Sequence, residues 1–157
     1  MGQNNLMGND NRGWLLSVFE DDLTGLPTKV QHKLEATKIL EQKAGRYAYV
    51  SCDVADVKYV SEMYGYAYGN VALKHIARVL SENLKQDELV SRTTGDHFCM
   101  LLKYSDVKSL EKRIFAMTEQ ANARIADYKL LETPKGHALS LFPQLSTSRM
   151  VCVYEMC

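Results

Sequence analysis

The chain has 157 residues, 46% of them apolar, and its 19 basic side chains balance 19 acidic ones. That length suits one domain able to bury a core, and zero formal charge leaves no electrostatic footprint for polymeric nucleic acid or an anionic membrane. No apolar run approaches the roughly 18 residues of a membrane helix and no secretory leader opens the chain, so a soluble cytoplasmic domain is expected.

Residues 1–20 read as a flexible N-terminal segment. Met1 to Arg12 are rich in Asn and Gly, and Trp14 to Phe19 form a short apolar patch able to dock back on the domain. Thr28 opens the first helix, with Pro27 before it and a capping-box pattern through Gln31. Val30, Leu34, Thr37 and Leu40 fall on one stripe, and Gly45 follows at a C-terminal position.

Arg46 to Val54 alternates as a strand. Tyr47, Tyr49, Ser51 and Asp53 share one face; Ala48, Val50, Cys52 and Val54 share the other. Asn70 then caps a second helix that turns Leu73, Ile76, Ala77, Leu80 and Leu84 inward. Leu89 to Thr93 and Phe98 to Tyr104 form a hairpin around Thr94, Gly95, Asp96 and His97. Ser105 or Asp106 caps a third helix, inward at Val107, Leu110, Ile114, Met117, Ala121 and Ile125. Ala138 to Phe142 and Met150 to Glu155 read as strands. The expected fold class is α+β, with a mostly antiparallel central sheet flanked by helices.

The four cysteines show no metal or redox spacing, and Cys52 and Cys99 read as small buried hydrophobes. His32, His75 and His137 lack metal-ligand spacing and read as surface or packing residues. Met100 and Met117 fall on core stripes. Tyr64, Tyr66 and Tyr68 surround Gly65 and Gly69; without a basic groove they read as a packed loop rather than a base-stacking platform.

Two carboxylates carry the chemistry. Asp53 ends a predicted strand and Asp96 sits at a hairpin tip, so neighbouring strands would bring them to one sheet edge. Paired acids suit Mg²⁺, a hard cation that takes oxygen ligands and completes its shell with substrate phosphate. Lys58 lies five residues after Asp53 and reaches a phosphate as a point charge. On spacing alone, turn aspartates bonding their own backbone are the favoured explanation of the pattern.

Four segments together resemble the GGDEF domain family of diguanylate cyclases. Asp21-Asp22-Leu23-Thr24-Gly25-Leu26-Pro27-Thr28-Lys29 is similar to its opening D-x-LTGLPNR motif. Val50 to Leu73 is similar to its central stretch, with Asp53, Lys58, Gly65, Gly69 and Leu73 in register. Arg92-Thr93-Thr94-Gly95-Asp96-His97-Phe98 is similar to R-x-GGDEF, and Met150 to Glu155 fits the late strand more loosely. The resemblance implies a fold like the palm of adenylyl cyclases, of ferredoxin-like type. It also implies condensation of two GTP molecules into cyclic di-GMP across two facing domains, assisted by Mg²⁺.

Under this resemblance Asp53 and Asp96 keep the metal-binding acids, Asp96 belongs to the catalytic signature, and Lys58 and Gly95 lie at the nucleotide. The departures concern the same site. His97 replaces the signature glutamate, and an imidazole prefers softer metals than Mg²⁺. Thr94 replaces the first glycine. Ser61 and Asn70 stand where the family reads guanine with Asn and Asp; Asn70 offers one acceptor and an unwanted amine, and Ser61 is short. The family's inhibitory R-x-x-D site aligns with Lys85 to Glu88, where lysine lacks the bidentate fork, and Lys85 and Glu88 read as solvated turn residues.

The expectation is a degenerate GGDEF domain over residues 21–157, vestigial at Asp96 and regulatory or dimerising in cyclic di-GMP signalling. Mg²⁺ enters only if nucleotide binding or activity is retained. The expected partners are GTP or another nucleotide held weakly, an adjacent EAL-type or sensor domain, and a second copy in a homodimer. Polymeric nucleic acid and a membrane are not expected. The alternatives are an active diguanylate cyclase and a ligand-free protein-interaction module. The family's last helix has no counterpart before Cys157, so the domain is expected to lack it.

Overall fold

The computed structural model describes residues 15–54, 61–62, 65–127 and 150–153, with side chains excepted at 122–127 and 150–153. In chain order these contain helix α1 (Lys29–Gln42), strand β1 (Arg46–Asp53), helix α2 (Tyr66–Glu82), strands β2 (Leu89–Thr94) and β3 (His97–Tyr104), helix α3 (Val107–Asp127) and strand β4 (Met150–Val153). The strands form one antiparallel sheet in the order β2-β3-β1-β4. This is the α+β arrangement expected. Ala138 to Phe142 lie outside the described residues.

Strand alternation builds two cores. One face of β1 sends Ala48, Val50 and Cys52 into the main core with Phe98, Met100 and Leu102 of β3. Helix α2 closes it with Leu73, Ile76 and Leu80, and α3 with Leu110, Ile114 and Met117. On the opposite face Tyr47 and Leu101 join Leu89 beneath Ala36, Ile39 and Leu40 of α1. Cys52 and Cys99 are buried, as expected.

The helix faces depart from expectation in three places. Along α1 the buried stripe is not Val30–Leu34, each of which is 49% exposed. His32 is drawn inward instead, its Nδ1 2.7 Å from Ser91 Oγ on β2, and the helix rolls to place Ala36, Ile39 and Leu40 beneath it. Thr28 caps α1 as expected, accepting from Gln31 N. The reciprocal half of the capping box is not made, because Thr28 N donates to Phe19 O, while the Gln31 amide donates to Glu35.

Helix α2 starts at Tyr66, not at Asn70. Gly65, at φ 96, turns the chain into the helix in a conformation that side chains disfavour, and Asn70 lies exposed beyond the first turn. Tyr66 is therefore helical and 80% exposed, while Tyr68 packs on the core, rather than both lying in a packed loop. In α3, Asp106 caps through Ser109 N at 2.9 Å. Val107 stays outside at 44% exposure, because the inward stripe begins at Leu110.

Within the apolar patch before residue 20, Leu15 and Leu16 stay 50% and 63% exposed, while the Val18 and Phe19 carbonyls accept from Thr28. No helix among the described residues is long and apolar enough to cross a membrane.

Gly45 joins α1 to β1 at φ 137, and an added Cβ would lie 2.5 Å from Lys103 Cε. The lysine tip can move, but the backbone conformation cannot relax without disturbing the strand entry. Gly45→Ala is expected to lower stability by about 1 kcal/mol, read as a lower urea midpoint at unchanged slope.

Candidate functional site

The register of β1 on β3 sets Asp53 opposite His97, and Val54 N donates to the Asp96 carbonyl at 2.9 Å. The two strands are thus neighbours, and the hairpin tip lies beside the end of β1. Period-two alternation places Ser51 on the same face as Asp53. Across from them, His97 Nδ1 donates to Asp53 Oδ1, and His97 Nε2 lies 2.7 Å from Ser51 Oγ. The carboxylate can only accept, so it fixes the tautomer, and in the neutral ring Nε2 accepts from the Ser51 hydroxyl. An imidazole held this way can take a proton from a neighbouring hydroxyl. The array is open to solvent, with the His97 and Asp53 side chains 31% and 49% exposed.

Asp96 sits exposed in the turn after Gly95, whose φ of 41 admits the tight reversal. Among the described residues, no three His, Cys, Asp or Glu side chains converge as a metal site would require. Further along the same sheet face, the Tyr49 hydroxyl bonds to the Cys99 sulfur. Burial and that neighbour push the Tyr49 phenol up.

The hairpin is held from behind by a pairing that no local pattern announces. Arg92 Nη1 lies 3.0 Å from both carboxylate oxygens of Asp21, and its Nε donates to Gly95 O at 2.7 Å. Asp21 also accepts from Thr24 N and Thr24 Oγ1 at 2.8 and 2.6 Å, and Arg92 N donates to Pro27 O. Burial pushes the Asp21 carboxyl up, but the Thr24 and Arg92 hydrogen bonds and the Arg92 charge outweigh it and hold the group below its ordinary range. The Asp21 to Thr28 segment is thereby fastened to the hairpin base.

The remaining candidates spread outward. Ser61 is half-buried in a helical turn just before α2, and Asn70 faces solvent on that helix. Lys58 lies outside the described residues. Lys85 is exposed, on a groove of about 680 Å³ that also includes Lys103, Ser109 and Arg113.

Glu88 is not a solvated turn residue. Its side chain is fully covered and its carboxylate accepts from Arg113 Nη1 and Nη2 at 2.6 and 2.5 Å, Lys85 N at 2.6 Å and Lys103 N at 3.0 Å. Burial raises its pKa, yet the Arg113 fork and the two amides win and hold it low. Sequence reading missed Arg113 because it lies 25 residues away, on α3.

Comparison with known proteins agrees with the sequence motifs. The family described as "Diguanylate cyclase, GGDEF domain" matches residues 18–138. Diguanylate cyclase TpbB from two Pseudomonas aeruginosa strains is 25% identical over 134 residues, covering 81% of this chain and 31% of TpbB. The chain spans between 10% and 31% of the curated relatives it matches. The solved GGDEF domain of TpbB superimposes with a TM-score of 0.60 at 22% identity, covering 66% of this chain and 62% of that one. The S helix–GGDEF–EAL structure of Vibrio cholerae LapD, bound to c-di-GMP, gives 0.57 at 14% identity, over 79% of this chain and 30% of that one.

Proposed function

Because the chain belongs to the GGDEF domain family of diguanylate cyclases, we propose that it is a regulatory member of cyclic di-GMP signalling that does not itself turn over GTP. The observation that carries this reading is the pairing of Asp53 with His97. A divalent ion would be held by Asp53 and Asp96, yet Asp53 Oδ1 is already engaged by an imidazole that Ser51 braces from behind. Mg²⁺ demands near-octahedral oxygen ligands, and one carboxylate shared with a histidine fits it poorly. With Oδ1 held by His97, Asp53 offers an ion only Oδ2 unless it leaves the ring.

The altered base-reading positions support the same conclusion. Ser61 and Asn70 supply neither the reach nor the paired acceptors that guanine's edge requires. A weak nucleotide-binding role using Lys58 is compatible with these changes. At the groove beside Lys85, Glu88 is consumed by Arg113, which lowers the affinity expected for cyclic di-GMP. LapD joins its GGDEF domain to an EAL domain. By that example, an attached EAL-type or sensor domain is the proposed recipient of this domain's influence, with a homodimer as a second partner.

The test is GTP turnover with Mg²⁺ or Mn²⁺. No steady formation of cyclic di-GMP is expected, and turnover that Asp96→Ala abolishes would overturn the proposal. His97→Glu, which restores the signature carboxylate, is expected to tighten Mg²⁺-dependent GTP binding about tenfold by calorimetry. Titrations with GTP, ATP and cyclic di-GMP separate a nucleotide sensor from a ligand-free module. Binding that weakens in Lys58→Ala marks the sensor.

A further inference from the structure

Three polar groups at the end of β1 form an ordered chain. Ser51 and Asp53 share one face of the strand, and His97 sits opposite Asp53 in the ladder with β3. The Asp53 carboxylate accepts from His97 Nδ1, and His97 Nε2 lies 2.7 Å from Ser51 Oγ. Acid, imidazole and hydroxyl thus stand in the order that activates a serine. The acid fixes the ring's tautomer, and the lone pair on Nε2 accepts the hydroxyl proton. Such a set is defined by geometry and roles, whatever fold carries it. Ser51 and His97 are both partly exposed, so a dissolved reagent has access to the array.

The surroundings restrict what can react there. Strand β1 is paired on both edges, to β3 and β4, so the amides around Ser51 are spent on ladders. They do not stabilise an oxyanion, and an acyl donor must bring its own activation in a weakly basic leaving group. Tyr49 and Asp53 flank Ser51 on its strand and Cys99 lies opposite it, so the acyl group must be short.

We propose that Ser51 is an activated nucleophile that takes a short acyl group from aryl esters, with His97 as its general base and Asp53 as a positioning residue. In the step, a bond forms between Ser51 Oγ and the acyl carbon, and the ester bond to the aryloxide breaks. The Ser51 proton passes to His97 Nε2 and then to the departing aryloxide. A serine alkoxide leaves far less readily than an aryloxide, so the acyl-serine accumulates rather than turning over. The proposal rests on the same Asp53–His97 pairing as the regulatory reading. Its test uses neither GTP nor a divalent ion, so the two fail separately.

The experiment treats the whole chain with para-nitrophenyl acetate in the presence of EDTA. A stoichiometric burst of nitrophenolate is expected, with peptide mass mapping placing one acetyl group on Ser51. Ser51→Ala is expected to lose the burst while its circular dichroism stays unchanged. His97→Gln and Asp53→Asn are each expected to slow acetylation of Ser51 about 100-fold. Imidazole nitrogen NMR shifts separate positioning from mere support of the fold. They are expected to show His97 protonated at Nδ1 in the parent and to lose that preference in Asp53→Asn. Acetyl groups on lysines with Ser51 unmodified would overturn the proposal. So would a burst retained in Ser51→Ala, equal rates in the parent and His97→Gln, or a parent His97 protonated at Nε2 alone.

Discussion

Glu88→Ala is expected to remove about 3–5 kcal/mol of stability, the largest loss of any polar substitution in the described structure. The carboxylate is covered, and four donors converge on it from three elements: Arg113 of α3, Lys103 of β3 and Lys85 of the turn before β2. Truncation strands the Arg113 guanidinium, which is only 18% exposed and retains Asn83 O as its remaining partner. A domain of this size holds about 5–15 kcal/mol in all, so a large share disappears. Urea unfolding followed by circular dichroism reads the change directly. Arg113→Met, which removes the second charge but keeps the apolar stem, should restore part of the loss in the Glu88→Ala background.

The same pair makes stability depend on pH with a definite sign. Glu88 has a folded pKa below its ordinary 4.5, because the Arg113 and amide bonds outweigh burial. A depressed carboxyl contributes fully above the unfolded value and loses that contribution as pH falls through the folded one. Asp21, held below its ordinary range by Thr24 and Arg92 against burial, acts in the same direction. The wild-type midpoint should therefore hold above about pH 5 and fall steeply below 4. Glu88→Gln should flatten that fall and leave the Asp21 portion.

The second large effect lies at the base of the hairpin. Arg92→Ala is expected to cost about 2–3 kcal/mol, because it removes the paired contacts to Asp21 and the bond to Gly95 O at once. Asp21→Ala should cost a similar amount, since it also frees Thr24 N and Thr24 Oγ1. In a double-mutant cycle the two should couple by about 1–2 kcal/mol. Additive losses would show that the guanidinium acts on the turn alone.

Much of this architecture was legible from residue order. Period-two alternation in Arg46 to Val54 named both faces of β1 correctly, and the Gly95–Asp96 turn placed the hairpin to within one residue at each strand. Strong helical periodicity located the inner face of α2 and that of α3 from Leu110 to Ala121; the Ile125 side chain lies outside the described residues. What failed was decided by distant partners. The face of α1 depends on His32 meeting Ser91, 59 positions away, while its own apolar pattern is weak and favours Val30 and Leu34. Glu88 looked like a turn residue because its partner lies on α3. At the candidate site, Asp53 and His97 were both singled out, yet their direct bond required the register of β1 on β3, which no single strand encodes.

The clamp at Arg92 has a mechanical consequence. One planar guanidinium spans the Asp21 carboxylate on one side and the Gly95 carbonyl on the other. The residues before Asp21 are tied in turn to the start of α1, since Thr28 Oγ1 donates to Val18 O and Thr28 N to Phe19 O. A pull or twist arriving along the chain from residues 15–20 is therefore not absorbed by a slack loop. It would be carried through these hydrogen bonds to the turn that holds Asp96, one residue from His97. The hairpin tip and the incoming chain are, in effect, opposite ends of a single beam.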